Sequence, residues 1–317
     1  MKIELLEALE EMAREEGIER EELYEIVKKG LIAAYVEEFG QVDQIDVAID
    51  HYSGDIKIIA DGKAHELNVE DFGRIAARKA EETIRSEIIK KRRDKILVRF
   101  SGKVGELISG TVHRFEGANV WLNLGGGIEA LLPEAERIPN ERYRLGATLR
   151  AYLYQVEPGQ GDPKIFVSRA HPEFVAALLK LEVPEVQQGL IKIEAIAREP
   201  GMRTKIAVRA QAPDIDPVGT CVGAKGSRIR QVVRELGGEK IDVIRWNPKI
   251  EEFIKNSLEP AQVLKIDVSE QTKEAKVLVP NDQLSLAIGK GGQNVRLTAK
   301  LTGYNITVTS PQEESHA

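Results

Sequence analysis

At 317 residues, with 42% hydrophobic and 30% charged side chains, the chain is long enough for two or three domains, each with its own apolar core. No apolar run approaches the roughly 20 residues a membrane helix needs, and Met1-Lys2-Ile3-Glu4 opens an acidic amphipathic helix instead of a basic-then-apolar leader, so a soluble cytoplasmic protein with no membrane partner is expected. The net charge of −6 divides unevenly: residues 1–70 hold 19 acidic and 7 basic side chains, net −12, and the remainder nets +6, which suggests a protein partner for an acidic head and nucleic acid for a basic body.

Leu5, Leu6, Leu9 and Met12 mark a first helix, and Leu23, Ile26, Val27, Leu31, Ala34 and Tyr35 a second that stops at Gly40. The period then changes to alternation. Ile45, Val47 and Ile49, a turn at Ser53-Gly54-Asp55, and Ile56 and Ile58 before Asp61-Gly62 predict a small antiparallel hairpin. Asp71 begins a long connector helix with Phe72, Ile75, Ala76, Ile84 and Ile88 inward and a strongly basic far end at residues 90–95. Residues 1–102 therefore read as one α+β domain.

Residues 103–172 change to short strands, at 107–115, 118–124, 128–132, 148–157 and 164–168, with glycine-rich turns at 125–127 and 159–161. Five such strands suit a small OB barrel, a fold that binds single-stranded nucleic acid through its second and third strands. If Val120, Leu122 and Leu124 face the core, Trp121 and Asn123 face out, because side chains alternate along a strand. Trp121 beside Arg114 is then a candidate stacking platform, with packing under a neighbouring domain as the alternative.

The rest of the chain is a duplication. Asp216, Gly223, Gly226, Arg230 and Gly237 recur 66 residues later as Asp282, Gly289, Gly292, Arg296 and Gly303, and Val222 and Ile229 recur as Ile288 and Val295. In each copy an apolar helical stretch (215–222; 284–288) runs into Gly-x-x-Gly and out into a second one. Val183-Pro184-Glu185 opens the first copy, strands are expected at 191–197, 204–210 and 240–245, and a helix at 250–258 opens the second, with strands at 263–268, 275–279 and 305–308. The order α-β-β-α-α-β is the bacterial, type II form of the KH fold, giving KH domains at 173–247 and 248–317. Only Asn247-Pro248 separates them, so the two clamps are expected to present one continuous track.

A glycine turn without side chains lets a sugar-phosphate backbone lie against the main chain and meet the N–H groups of the next helix. Gly223, Ala224, Lys225 and Gly226 form the first clamp, with Arg228 and Arg230 adding charge. Gly289, Lys290, Gly291 and Gly292 form the second, with Arg296 and Lys300. A helix-helix turn is the plain alternative for one such site; the duplication argues against it. An ATP-binding loop does not fit, because Gly291 follows Lys290 where Ser or Thr is required.

No catalytic constellation emerges. His51, His65, His113, His171 and His316 are scattered without i,i+4 pairing, and the single cysteine, Cys221, is expected to be a small buried residue, so neither a metal site nor a cofactor is expected. Asp214 and Asp216 could hold a metal, but the recurrence of Asp216 as Asp282 favours helix N-capping.

Taken together, Asp71-Phe72-Gly73-Arg74-Ile75-Ala76-Ala77, Ser168-Arg169, Glu182-Val183-Pro184-Glu185-Val186, Ile196-Ala197-Arg198-Glu199-Pro200-Gly201, Thr204-Lys205-Ile206-Ala207-Val208, Asp216-Pro217-Val218-Gly219, Gly238-Glu239-Lys240-Ile241-Asp242 and Leu284-Ser285-Leu286-Ala287-Ile288-Gly289 resemble the NusA family of bacterial transcription factors. The resemblance implies an N-terminal domain that docks on RNA polymerase, an S-one-type OB barrel and two KH domains that guide single-stranded nascent RNA. It also implies roles in pausing, termination and antitermination beside other transcription factors; a monomer is expected and, with no catalytic constellation, no enzymatic activity. Ala118 and Pro133 stand where related RNA-binding barrels often carry Phe and His, so weak RNA binding by the barrel is expected. The alternative is an RNA-binding subunit of an RNA-degradation complex, which also combines KH and S-one-type domains.

Overall fold

The computed structural model describes residues 11, 14, 17–50, 56–65, 74–159 and 161–311. The expected first helix, the turn at Ser53-Gly54-Asp55 and the helix start at Asp71 and Phe72 lie outside them. The chain divides into two compact units, Met1–Gly102 with Val156–Lys164, and Lys103–Gln155 with Ile165–Ala317.

In the first unit, helix α1 (Arg20–Phe39) buries Leu23, Ile26, Val27, Leu31, Ala34 and Tyr35 and stops where the Gly40 N–H, at φ 87°, bonds back to Val36 O. Strands β1 (Ile45–Ile49) and β2 (Ile56–Ala60) pair antiparallel, with Val47, Ile49, Ile58 and Ala60 inward. The sheet does not end at the hairpin: Asp61 and Gly62, both at positive φ, turn the chain into β3 (Lys63–His65), which pairs with β2. Helix α2 (Arg74–Ser101) packs along α1. Its buried seam is Ala76, Ala80, Ile84 and Ile88, spaced by four. Ile75, expected inward, is 73% exposed, since one residue along a helix turns the side chain about 100° off that seam. At the basic far end of α2, Lys91 and Lys95 tie it to α1, reaching Glu22 at 3.3 and 2.7 Å. The Lys95 hydrogen bond, more than any other contact, holds the Glu22 carboxyl below the usual range.

The second unit begins with the barrel. Strands β4 (Leu107–Glu116), β5 (Asn119–Asn123), β6 (Glu129–Leu132), β7 (Thr148–Glu157) and β8 (Lys164–Ser168) close in the order β4-β5-β6-β8-β7. Strand β4 pairs antiparallel with β5 and β7, and β5 antiparallel with β6, whereas β6 pairs parallel with β8, the connection that distinguishes an OB barrel from a simple meander. Val112, Val120, Leu122, Ala130, Leu132, Ala151, Leu153, Ile165 and Val167 fill it.

The first KH unit opens earlier than Val183. Helix α3 (Pro172–Glu182) precedes it, capped by His171, whose Nδ1 accepts the Glu173 N–H at 3.1 Å, and its stripe of Phe174, Val175, Leu178 and Leu179 anchors the unit's core. A short α4 (Pro184–Gln187) follows, then β9 (Ile191–Glu199), β10 (Arg203–Ala210), α5 (Pro217–Val222), α6 (Ser227–Glu235) and β11 (Lys240–Arg245). The second repeats this as α7 (Ile250–Leu258), β12 (Lys265–Ser269), β13 (Glu274–Leu278), α8 (Leu284–Ile288), α9 (Gln293–Thr302) and β14 (Asn305–Thr309). In both sheets the central strand runs antiparallel to the first and parallel to the last.

Strand β10 is buried on both faces, one against its own helices and the other against the second KH unit. Ala197, Ala207 and Ile244 meet Phe253, Leu297 and Leu301 there. A fully buried Lys205 crosses the same junction, donating to Ser257 O at 2.8 Å and pairing with Asp242 at 3.3 Å. Burial, above all, lowers the pKa of its ammonium.

Candidate nucleic-acid interface

Both Gly-x-x-Gly turns fold the same way. Gly223 and Gly289 stand at φ 74°, ψ 169° and φ 78°, ψ 168°, where they end α5 and α8. Gly226 and Gly292 stand at φ 75°, ψ 21° and φ 73°, ψ 12°, and open α6 and α9 without any side-chain cap. The first glycine of each pair is required for space: a Cβ on Gly223 would lie 2.9 Å from Arg228 Cγ, and one on Gly289 2.8 Å from the Asn294 main-chain nitrogen. Each turn therefore presents bare main chain and an uncapped helix start, an arrangement suited to an anion.

The charges around the turns are less alike than the sequence pattern suggested. Lys225 aligns with Gly291, and Lys290 with Ala224, so the clamp lysines are offset by one position. Lys225 shares the left-handed backbone of Gly291, φ 50°, ψ 30° against φ 60°, ψ 27°. Lys225, Arg230 and Lys290 are exposed and make no hydrogen bond or ion pair with any described residue.

Arg228 does not belong with them. Its Nη1 donates to Thr220 O and to Glu185 Oε2, both at 2.9 Å, which makes it a half-buried strut beneath the first turn. Its counterpart Asn294 does the same work, donating to Leu286 O, the carbonyl equivalent to Thr220 O, and to Ala287 O and Leu258 O. Arg296 is also engaged, bonding Glu199 at 2.6 Å and Gly291 O at 3.0 Å.

Asp216 caps α5, accepting the Gly219 N–H at 3.1 Å. Asp282 does not cap α8; its carboxylate accepts from the side-chain amide of its own neighbour, Gln283, at 3.1 Å. The chain there enters α8 through a short 3-10 turn, which moves the helix start past Asp282.

On the barrel, Trp121 is partly exposed beside Arg114, as alternation requires, but its face is already covered by the Arg114 guanidinium, 4.0 Å from the ring. Glu129 accepts from Arg114 Nε and Nη2 at 3.2 and 3.1 Å, and the Trp121 indole N–H donates to Glu116 at 2.9 Å. A base stacking on Trp121 would have to displace that arginine.

Several of the segments that carry the family resemblance hold the second unit together through charges whose partners are not visible in the sequence. Arg169 ties the barrel to the first KH unit, reaching Glu141 at 2.6 Å and Glu235 at 3.1 Å and bonding Arg150 O. Arg198 and Glu239 form a fully buried pair with two 2.9 Å contacts, and Glu239 also accepts from Thr204 at 2.5 Å and the Gly201 N–H at 2.7 Å. For Arg198 in β9, as for Lys205 in β10, a charged residue inside a largely apolar strand was the available signal, since such groups are buried only when paired. Cys221 is fully buried, and burial pushes its thiol up to about 12.

Among the described residues, no group of three His, Cys, Asp or Glu is placed to hold a metal ion, and no helix is long and apolar enough to cross a membrane.

Three family models match the chain: the NusA N-terminal domain at residues 4–65, the NusA-like first KH domain at 169–246 and the NusA-like second KH domain at 250–316. Among curated proteins, the transcription termination/antitermination protein NusA of Halalkalibacterium halodurans is 37% identical, over 99% of this chain and 90% of its own. The NusA proteins of Bacillus subtilis and Thermus thermophilus are each 38% identical, over 98% and 96% of this chain and 91% and 89% of theirs.

Proposed function

The chain belongs to the NusA family, and on that premise we propose that it is an RNA-binding transcription factor that holds nascent single-stranded RNA on its two KH clamps while its N-terminal domain docks on RNA polymerase. It thereby modulates pausing, termination and antitermination. Membership favours this reading over the RNA-degradation subunit that the KH and barrel combination alone left open. The observation that carries it is the pair of clamps with matching backbone angles, in two KH units packed through Lys205 and the apolar junction around Ala207.

The division of labour follows from charge and architecture. Residues 1–102 serve as the polymerase-binding domain with its connector helix, 103–172 as an S-one-type barrel contributing little RNA affinity, and 173–247 and 248–317 as one RNA track. Gly223, Ala224, Lys225 and Gly226 with Arg230 form its first site, and Gly289, Lys290, Gly291 and Gly292 with Arg296 its second. Arg228 supports the first turn from below. The protein works as a monomer in the cytoplasm, without a cofactor, and reaches other transcription or antitermination factors through the polymerase complex.

Binding of the full chain to single-stranded and duplex RNA across a salt series tests the reading. Single strands should be preferred, with log affinity falling against log salt by about 0.7 per phosphate contacted. Salt-independent binding, or a preference for duplex, would refute it. In parallel, the full chain should co-purify with RNA polymerase and a chain lacking residues 1–102 should not; retention by the shortened chain would overturn the polymerase assignment.

A further inference from the structure

Because the clamps are copies, a difference between them isolates what the tertiary structure has added to one of them. Arg230 and Arg296 are equivalent residues, and each sets its guanidinium against the closing glycine of its clamp. Nη1 lies 3.6 Å from the place of a Cβ on Gly226 in one copy and 3.8 Å from that of a Cβ on Gly292 in the other. Arg230 is bound to no described residue. Arg296, in contrast, donates through Nε to Glu199 Oε1 at 2.6 Å, while Gln293, the first residue of α9, donates through Nε2 to Glu199 Oε2 at 2.8 Å. Glu199 is the last residue of β9, so this carboxylate comes from the first KH unit and stands beside the clamp of the second. Its side chain is 15% exposed against 48% for Arg296. The Arg296 hydrogen bond, opposed by burial, holds its carboxyl below the usual range, and it is ionised at neutral pH.

We infer that Glu199 is a built-in rival to RNA phosphate at the second clamp and thereby ranks the two sites: RNA is held first at residues 223–226, and at 289–292 once a phosphate has taken Arg296 from this carboxylate. The inference rests on the proposed binding of RNA at the clamps. Both carboxylate oxygens are occupied by donors flanking the turn, so a phosphate arriving there meets a fixed negative charge as well as an arginine already engaged. Among the described residues no such carboxylate engages Arg230, and none bonds the lysine of the first clamp, Lys225. The arrangement makes the second clamp responsive to occupancy of the first, because RNA already tethered nearby competes with Glu199 at a raised local concentration.

The test uses the full chain and a single-stranded RNA long enough to span both clamps, comparing wild type, Glu199→Gln and Arg296→Gln. Both variants remove the same ion pair, so any loosening of the junction between the KH units is common to them. E199Q should bind roughly three- to tenfold more tightly, since one repulsion is removed and one cation released. Its salt slope should steepen by about 0.7 as Arg296 joins the phosphate contacts. R296Q should bind more weakly than wild type. If E199Q is unchanged, or if both variants weaken together, the pair is only a tie between the KH units and the inference fails. A wild-type chain that binds no single-stranded RNA refutes the proposed function and this inference with it.

Discussion

Lys225→Gly turns the first clamp into a backbone copy of the second, in which Gly291 stands at the equivalent position. Lys225 holds φ 50°, ψ 30° and Gly291 φ 60°, ψ 27°, so glycine can take the place without any change of path. The left-handed region costs a residue with a Cβ about 1–2 kcal/mol. Glycine returns about 0.5–1 kcal/mol of that through the extra freedom of the unfolded chain. The Lys225 side chain is exposed and bonds to no described residue, so no packing is lost. The variant should therefore be as stable as wild type or more stable by up to about 1.5 kcal/mol. RNA binding should move the other way, with the salt slope falling by about 0.7 as one phosphate contact disappears. Urea unfolding at unchanged m-value reads the first quantity, and fluorescence anisotropy across a salt series reads the second. A stability loss beyond about 0.5 kcal/mol would show that Lys225 holds the turn together, and an unchanged salt slope would show that it does not meet RNA.

Lys225→Asp and Lys290→Asp should each weaken binding to an RNA spanning both clamps, and the double variant should hardly bind, since losing either clamp forfeits avidity that reaches roughly 10²- to 10⁴-fold. One single variant binding like wild type while the other has lost everything would break the shared-track reading. Glu239→Ala leaves the fully buried Arg198 unpaired and should cost about 3–5 kcal/mol in urea unfolding, whereas Glu239→Leu combined with Arg198→Met should cost markedly less; equal losses would mean that packing, not the stranded charge, sets the cost. Cys221, buried with its thiol pushed up to about 12, should resist an aromatic disulfide reagent at pH 8 in the folded chain and react fully once unfolded, and rapid reaction with the native protein would contradict the burial. Trp121→Ala should weaken RNA binding of the full chain only modestly, because Arg114 already covers the ring; abolished binding would place the barrel at the centre of the site.

What the sequence determined by itself was everything written as local period or exact recurrence. The helix at Ile250–Leu258, the barrel strands to within a residue or two, and the two glycine turns follow from side-chain alternation, helical spacing and a 66-residue repeat, which operate over a few residues. Family segments were legible for the same reason, as strings. What those strings do was not. Arg169, Arg198, Lys205 and Glu239 meet their partners 19 to 66, 27 to 41, 37 to 52 and 35 to 41 residues away, and no local pattern records such a meeting. Ile75 and Ala76 both read as inward, but only Ala76 lies on the seam, because adjacent residues on a helix stand about 100° apart. The clamp charges show the division most clearly. Residue type made Arg228, Arg230 and Arg296 look alike, but packing made one a strut, left one without a partner among the described residues and set one against Glu199, because the fate of a charged side chain depends on which carbonyls and carboxylates the fold brings within reach.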